Sequence, residues 1–191
     1  MLILVFDTET NGLFDKNSVI DAENYVDLPH ILELAWIVYN NETEEQVKYD
    51  FIFSCPMGIS EEITNINHLD DDICNNGYNI SEVIDIFLDD VKRCDLICGH
   101  NLNYDLNMIE LELYRLNRED DADMLFSKPF FDTMHRSKDI LKLKGNNKYN
   151  YKFPKLSETY IFLFGKMFEN SHNALSDVKA TLKIYLKLVS L

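Results

Sequence analysis

Residues Leu2 to Phe6 read Leu-Ile-Leu-Val-Phe, an unbroken apolar run that meets Asp7 with no turn residue between. A strand that is apolar on both faces belongs inside a sheet covered by helices on each side. Two further strand-like runs, Ile31 to Tyr39 and Val47 to Phe53, flank the polar turn Asn40 to Glu45 and predict a hairpin. Helical spacing then takes over. Val83, Ile84, Phe87, Leu88 and Val91 recur at that spacing in a helix expected from Ser81, as its cap, to about Arg93. A short strand, Leu96 to Cys98, ends at Gly99, and Leu102, Leu106, Ile109, Leu113 and Leu116 form one stripe of the next helix. Phe130 and Phe131 suggest another strand. Leu156, Thr159, Tyr160, Leu163 and Phe164 share a helical face that Gly165 would terminate, and Leu175, Val178, Leu182, Tyr185 and Val189 mark a last helix. The expected fold class is α/β, with a central mixed sheet flanked by helices. Phe14 to Pro29 fits neither period and is expected to form a loop between the first two strands.

The chain has 191 residues, enough for one hydrophobic core and too few for two ordinary ones, so a single domain over 1–191 is expected. Its apolar amino-terminal run is too short to cross a membrane and has no basic region before it. Cys55, Cys74, Cys94 and Cys98 lack the paired spacing of a zinc site and read as reduced structural thiols. Together these features imply an intracellular protein, cytoplasmic or nuclear and not secreted. The net charge of −15 argues against passive coating of nucleic acid, which needs a basic excess. It does not argue against an enzyme, because clustered carboxylates can hold divalent cations that then meet a phosphate.

Three short segments carry candidate chemistry. At the end of the first strand, Phe6-Asp7-Thr8-Glu9-Thr10-Asn11-Gly12-Leu13 puts Asp7 and Glu9 two residues apart, on the same face of the strand. Two carboxylates aimed at one spot repel, and need a cation between them or a raised pKa. In Gly99-His100-Asn101-Leu102-Asn103-Tyr104-Asp105 a buried strand delivers the chain into a helix, with Asp105 near its first turn. Taken singly, Asp105 would favour the helix dipole and His100 would cap or pack. The third segment, His172-Asn173-Ala174-Leu175-Ser176-Asp177, has Asn173 as a cap, Asp177 one turn into the last helix and His172 just outside it.

In this order the three segments resemble the exonuclease motifs of the DEDDh (DnaQ-like) superfamily of 3′-to-5′ exonucleases, which have a ribonuclease H-like fold. Asp7 and Glu9 match the Asp-x-Glu of the first motif, Asp105 the aspartate of the second, and His172 with Asp177 the His-x4-Asp of the third. The likeness spans nearly the whole chain and is strongest to the proofreading subunit of bacterial replicative polymerases. It implies a two-metal phosphodiester hydrolase using Mg²⁺ or Mn²⁺ on DNA or RNA 3′ ends, with no membrane role and the oligomeric state open, a homodimer included. Asp7, Glu9 and Asp177 would hold one cation, and Asp7 with Asp105 a second. His172 would be the general base. By position in the motifs, Thr10, Leu13, His100, Asn101 and Tyr104 would contact the terminal nucleotide, although Leu13 could equally serve the core. The chain ends directly after the third-motif helix, without the polymerase-binding tail of the proofreading subunit, so a stand-alone nuclease is expected.

Two alternatives stay open at this point. The first motif is also similar to the Asp-x-Asp-x-Thr of haloacid dehalogenase phosphatases, although Glu9 is wrong for it. The same fold could also serve as a catalytically inactive nucleic-acid-binding module. Finally, Arg136 to Lys155 holds seven basic residues against one acid, Asp139, with Tyr149, Tyr151 and Phe153 interleaved. That pattern suits a segment tracking a single strand by charge and stacking, with Lys144, Lys148 and Lys152 as its expected contacts.

Overall fold

The computed structural model describes residues 1–13, 28–145, 151–170 and 172–191. Most of the expected Phe14 to Pro29 loop, from Phe14 to Asp27, lies outside the described residues, as do Lys148 and Tyr149. Five strands and eight helices are seen among the described residues. In chain order they are β1 (Leu2–Thr10), β2 (Ile31–Asn40), β3 (Gln46–Ile52), α1 (Glu61–Asn67), α2 (Asp71–Cys74), α3 (Ile80–Arg93), β4 (Leu96–Gly99), α4 (Leu102–Arg115), α5 (Glu119–Phe126), β5 (Phe130–Asp132), α6 (Thr133–Leu141), α7 (Leu156–Phe164) and α8 (Ala174–Val189).

The strands form one mixed sheet in the order β3-β2-β1-β4-β5. β1 to β3 are antiparallel neighbours, whereas β4 runs parallel to β1 and β5 parallel to β4. The apolar amino-terminal run is therefore the central strand, and its two faces feed two separate cores. Even-numbered Leu4 and Phe6 pack with Trp36, Phe87 and the apolar stripe of α4. Odd-numbered Ile3 and Val5 pack with Ala35, Ile37 and residues Val178, Leu182 and Tyr185 of α8. Because side chains alternate along a strand, this parity also decides which helix each residue of the first motif meets.

The expected hairpin is β2–β3, and the expected helices after it are present. The cap of α3 is Asn79 rather than Ser81: the Asn79 side chain accepts the Ser81 N–H at 3.0 Å, while Glu82 reaches back to the Asn79 N–H at 3.0 Å. Reciprocal bonding satisfies two orphan donors where Ser81 would satisfy one, so the cap lies two residues earlier. α1, α2, α5 and α6 were not foreseen, since short or sparsely apolar segments carry little periodic signal. All four cysteines are free, and Cys74, Cys94 and Cys98 are buried. Burial pushes the Cys74 thiol up to about 11. No helix among the described residues is long and apolar enough to cross a membrane.

Candidate active site

The odd face of β1 continues past Val5 to Asp7 and Glu9, so both carboxylates emerge on the side covered by α8. Glu9 stands directly opposite Glu33 of β2, and the pairing slips just beyond it, between Glu9 and Thr10. On the even face, Thr8 meets α4. Its N–H and hydroxyl both donate to Asp105 Oδ1, at 3.0 and 2.7 Å, and tie the second-motif carboxylate to the end of the central strand. The turn into α4 is tight: a side chain at Gly99 would press on Leu102, 2.7 Å away. Asn101 adopts a left-handed conformation (φ 68°), which asparagine tolerates better than most residues. Asp132, at the end of β5, accepts the Asn101 and Leu102 N–H groups and also caps α6 through Met134 and His135. One carboxylate thereby sets the start of two helices, including the one carrying Asp105.

The third motif is set by Asn173, whose side chain accepts the Ser176 N–H at 3.2 Å and caps α8. The amide of the same residue donates to Glu33 Oε1 at 2.8 Å, and the Ala174 N–H donates to Glu33 Oε2 at 3.3 Å. Asp177 then lies in the first turn of α8. Donor atoms of Glu9, His172 and Asp177 all fall within 4.8 Å of one another. His172 itself is exposed, with a left-handed backbone (φ 69°) that turns the chain just before the cap.

Burial, with crowding added at Asp7 and Glu9, raises the pKa values of these carboxylates. Asp7 titrates well above the usual carboxylate range, chiefly through burial and then through the charges of Asp105, Asp177, Glu9 and Glu33. Burial, helped by Asp177 and Asp105, raises Glu9 to about 8. Asp105 and Asp177 are each raised to about 7 by burial, against the opposing hydrogen bonds from Thr8 and from the His172 backbone. Asp177 Oδ1 is buried and has no hydrogen-bond partner among the described residues. Mutually repelling carboxylates, a partnerless buried oxygen and a nearby imidazole suit a divalent cation that prefers hard oxygen donors.

Of the other candidates, Thr10 is buried and its hydroxyl donates to the Gly12 carbonyl at 2.7 Å, lying 2.8 Å from the Tyr104 hydroxyl. Tyr104 bonds the same carbonyl at 2.9 Å, so Thr10 and Tyr104 together shape the rim after the first motif. Leu13 is 82% exposed and therefore takes no part in the core. Both His100 ring nitrogens are engaged, one with Thr133 Oγ1 at 2.9 Å and the other with the Pro154 carbonyl at 3.1 Å. The Asn101 side chain is exposed.

Sequence reasoning passed over Glu33. It is 2% exposed and is held at about 8 by burial and by its hydrogen bond and charge contact with Asp50, against the Ala174 N–H. Its signal was there to read, an acid inside the otherwise apolar run Ile31 to Val38. The expected strand-tracking segment is partly committed elsewhere. Lys152 pairs with Glu158, and Lys138 lies over the Phe153 ring at 4.3 Å.

Comparison with known proteins agrees with this geometry. The chain is 26% identical over 187 residues to the PolC-type DNA polymerase III of Caldanaerobacter subterraneus subsp. tengcongensis, and 27% identical over 190 residues to that of Staphylococcus epidermidis. Each match covers 97% of this chain but 11% of the polymerase, so the chain spans about a ninth of the length of these relatives. Among solved structures, Escherichia coli Exonuclease I in complex with a dT13 oligonucleotide superimposes with a TM-score of 0.74 at 18% identity, covering 99% of this chain and 41% of that one. Its zinc-bound complex with single-stranded DNA gives 0.72 at 19%, covering 99% and 40%. The RNase T family model, described as exonuclease, matches residues 4–185, which removes the phosphatase alternative. With all three motifs inside that match, the chain belongs to the exonuclease family.

Proposed function

We propose that the chain removes nucleoside 5′-monophosphates one at a time from the 3′ end of single-stranded DNA or RNA, using two divalent cations, Mg²⁺ or Mn²⁺. The observation that carries this reading is the convergence of Glu9, His172 and Asp177 within 4.8 Å around a buried Asp177 oxygen that lacks a partner among the described residues. Asp7, Glu9 and Asp177 would hold one cation, and Asp7 with Asp105 the other. Bound there, the cations would supply positive charge to the phosphodiester and make a water more acidic. His172, exposed and outside the helix, is free to accept the proton of that water. Asp105 is braced by Thr8, and Asp177 by the cap of α8, so neither carboxylate must reorganise as charge develops. Thr10, Leu13, His100, Asn101 and Tyr104 would line the terminal nucleotide, Leu13 and Tyr104 through apolar or stacking surfaces. Single-stranded DNA is the ligand in the Exonuclease I complexes, which supports that choice of strand.

Release of mononucleotides from 5′-labelled DNA and RNA oligonucleotides, with Mg²⁺, Mn²⁺ or EDTA, tests the proposal. Shortening should proceed from the 3′ end and only with metal. Asp7→Ala should abolish it, and His172→Ala should lower the rate by about 10²- to 10⁴-fold while metal still binds. A fully active Asp7→Ala protein would show that the chemistry lies elsewhere.

A further inference from the structure

Five basic residues of the described chain, Lys92, Arg93, Arg115, Arg118 and Lys152, are paired with nearby acids. Among those that form no ion pair within the described residues, three gather in one place. Lys179 and Lys183 stand one turn apart on α8, and Lys166, from the connection between α7 and α8, faces the same hollow of about 410 Å³. None of the three forms an ion pair among the described residues, and Glu169 is the one acid in the described lining. Like charges spaced i, i+4 on a helix repel, so this arrangement weakens α8 unless an anion settles between the ammonium groups.

The hollow adjoins the third motif. Asn170 and Ser176 also line it, the first two residues before His172 and the second immediately before Asp177. Away from the cation site, a chain of net charge −15 needs a local basic surface to hold a polyanion, and the carboxylates at the site repel phosphate until cations occupy them. We propose that this hollow binds the phosphodiester backbone of the strand whose 3′ end lies at the carboxylates, some nucleotides back from the end. The inference rests on the nuclease reading above and adds to it a binding surface.

The test separates the two. Binding of a 5′-labelled 16-nucleotide DNA or RNA strand is followed by fluorescence anisotropy in EDTA across a range of salt, so no cleavage is needed. Replacing Lys166, Lys179 and Lys183 together with glutamine should weaken binding about tenfold or more at low salt and flatten the salt slope by up to about 2. The triple arginine variant keeps the charge and should bind like the parent. Hydrolysis of a dinucleotide with Mg²⁺ should be the same in all three proteins. If the glutamine triple does not fold, the single variants K179Q and K183Q decide, each expected to lower the slope by about 0.7. Equal slopes in parent and glutamine variants overturn the proposal, as does displacement of the strand by an equal length of polyglutamate, which would mark a protein-binding surface. An inactive parent that retains the lysine-dependent slope would instead overturn the nuclease reading alone. DNA and RNA arms that differ identify the sugar the surface prefers.

Discussion

Glu33 links the central sheet to the helix that carries Asp177, although it lies in none of the three motifs. Its two oxygens take the Asn173 amide at 2.8 Å and the Ala174 N–H at 3.3 Å, while its backbone sits opposite Glu9. A carboxylate in this place fixes where α8 begins, and therefore where His172 and Asp177 stand relative to Glu9. Removing it should misplace the third motif without touching substrate. Glu33→Ala is expected to lower kcat on the order of 10²-fold, the usual effect of a displacement near 1 Å, with little change in KM. It also leaves two donors unsatisfied, for about 1–3 kcal/mol of stability. Glu33→Gln retains one acceptor and should recover most of the rate. If Glu33→Ala lowers the melting temperature yet keeps its kcat in the folded range, Glu33 serves the fold alone.

At the level of elements, α4 is the brace between the site and the chain leading into β2. Its far end holds Glu112, which accepts from Arg115 at 2.7 Å and from the Ile31 N–H at 3.3 Å, and lies 3.2 Å from the His30 ring. Arg115 also donates to the Leu28 and Pro29 carbonyls at 2.6 and 3.0 Å. The two side chains are 12% and 5% exposed, so this is a buried ion pair. Breaking such a pair leaves an uncompensated charge, and Arg115→Met is expected to cost about 3–5 kcal/mol by urea denaturation. Converting both partners, as Arg115→Met with Glu112→Leu, should restore much of that loss. A single variant as stable as the parent would show that water already reaches Glu112. The long elements were legible in the sequence because β1, α3, α4 and α8 each present a full apolar run or stripe. α6 was not, since its nine residues bury only Thr133, Ser137 and Leu141 and, from Arg136 onward, it belongs to the segment that stood out for charge.

For the whole molecule, the raised carboxylates make stability and function pull in opposite directions. An acid whose folded pKa lies above its unfolded value binds more protons when folded, so its contribution is most favourable below the unfolded values near 4. That contribution is lost as pH rises through about 7 for Asp105 and Asp177 and about 8 for Glu9 and Glu33. In EDTA the melting temperature should therefore fall between pH 5 and pH 8.5. Mg²⁺ or Mn²⁺ should reverse the fall at the upper end: cation at about a hundred times its Kd gives roughly 2.7 kcal/mol. For a chain of 191 residues that is about 5–10 °C. Asp7→Asn removes the most crowded charge. It should melt higher than the parent in EDTA at pH 8, gain little from metal, and be inactive. A parent whose melting temperature is flat with pH and indifferent to metal would mean that the carboxylates are better hydrated than their burial implies.

Local chemistry alone determined the mixed α/β class, the central strand, the β2–β3 hairpin and the parity that sends Asp7 and Glu9 to one face, because hydrophobic period and strand alternation act within a few residues. The same local reading located the Asn173 cap and the three motif segments. Tertiary structure decided the rest. The Glu33 bond to Asn173 joins residues 140 apart, and the register of β2 against β1 had to be settled before Glu33 could stand beside Glu9. Lys166, Lys179 and Lys183 are spread over 18 positions and meet only once α7 and its connection fold back along α8. Such contacts depend on how elements pack, and packing is a property of the closed chain that no window of neighbouring residues contains.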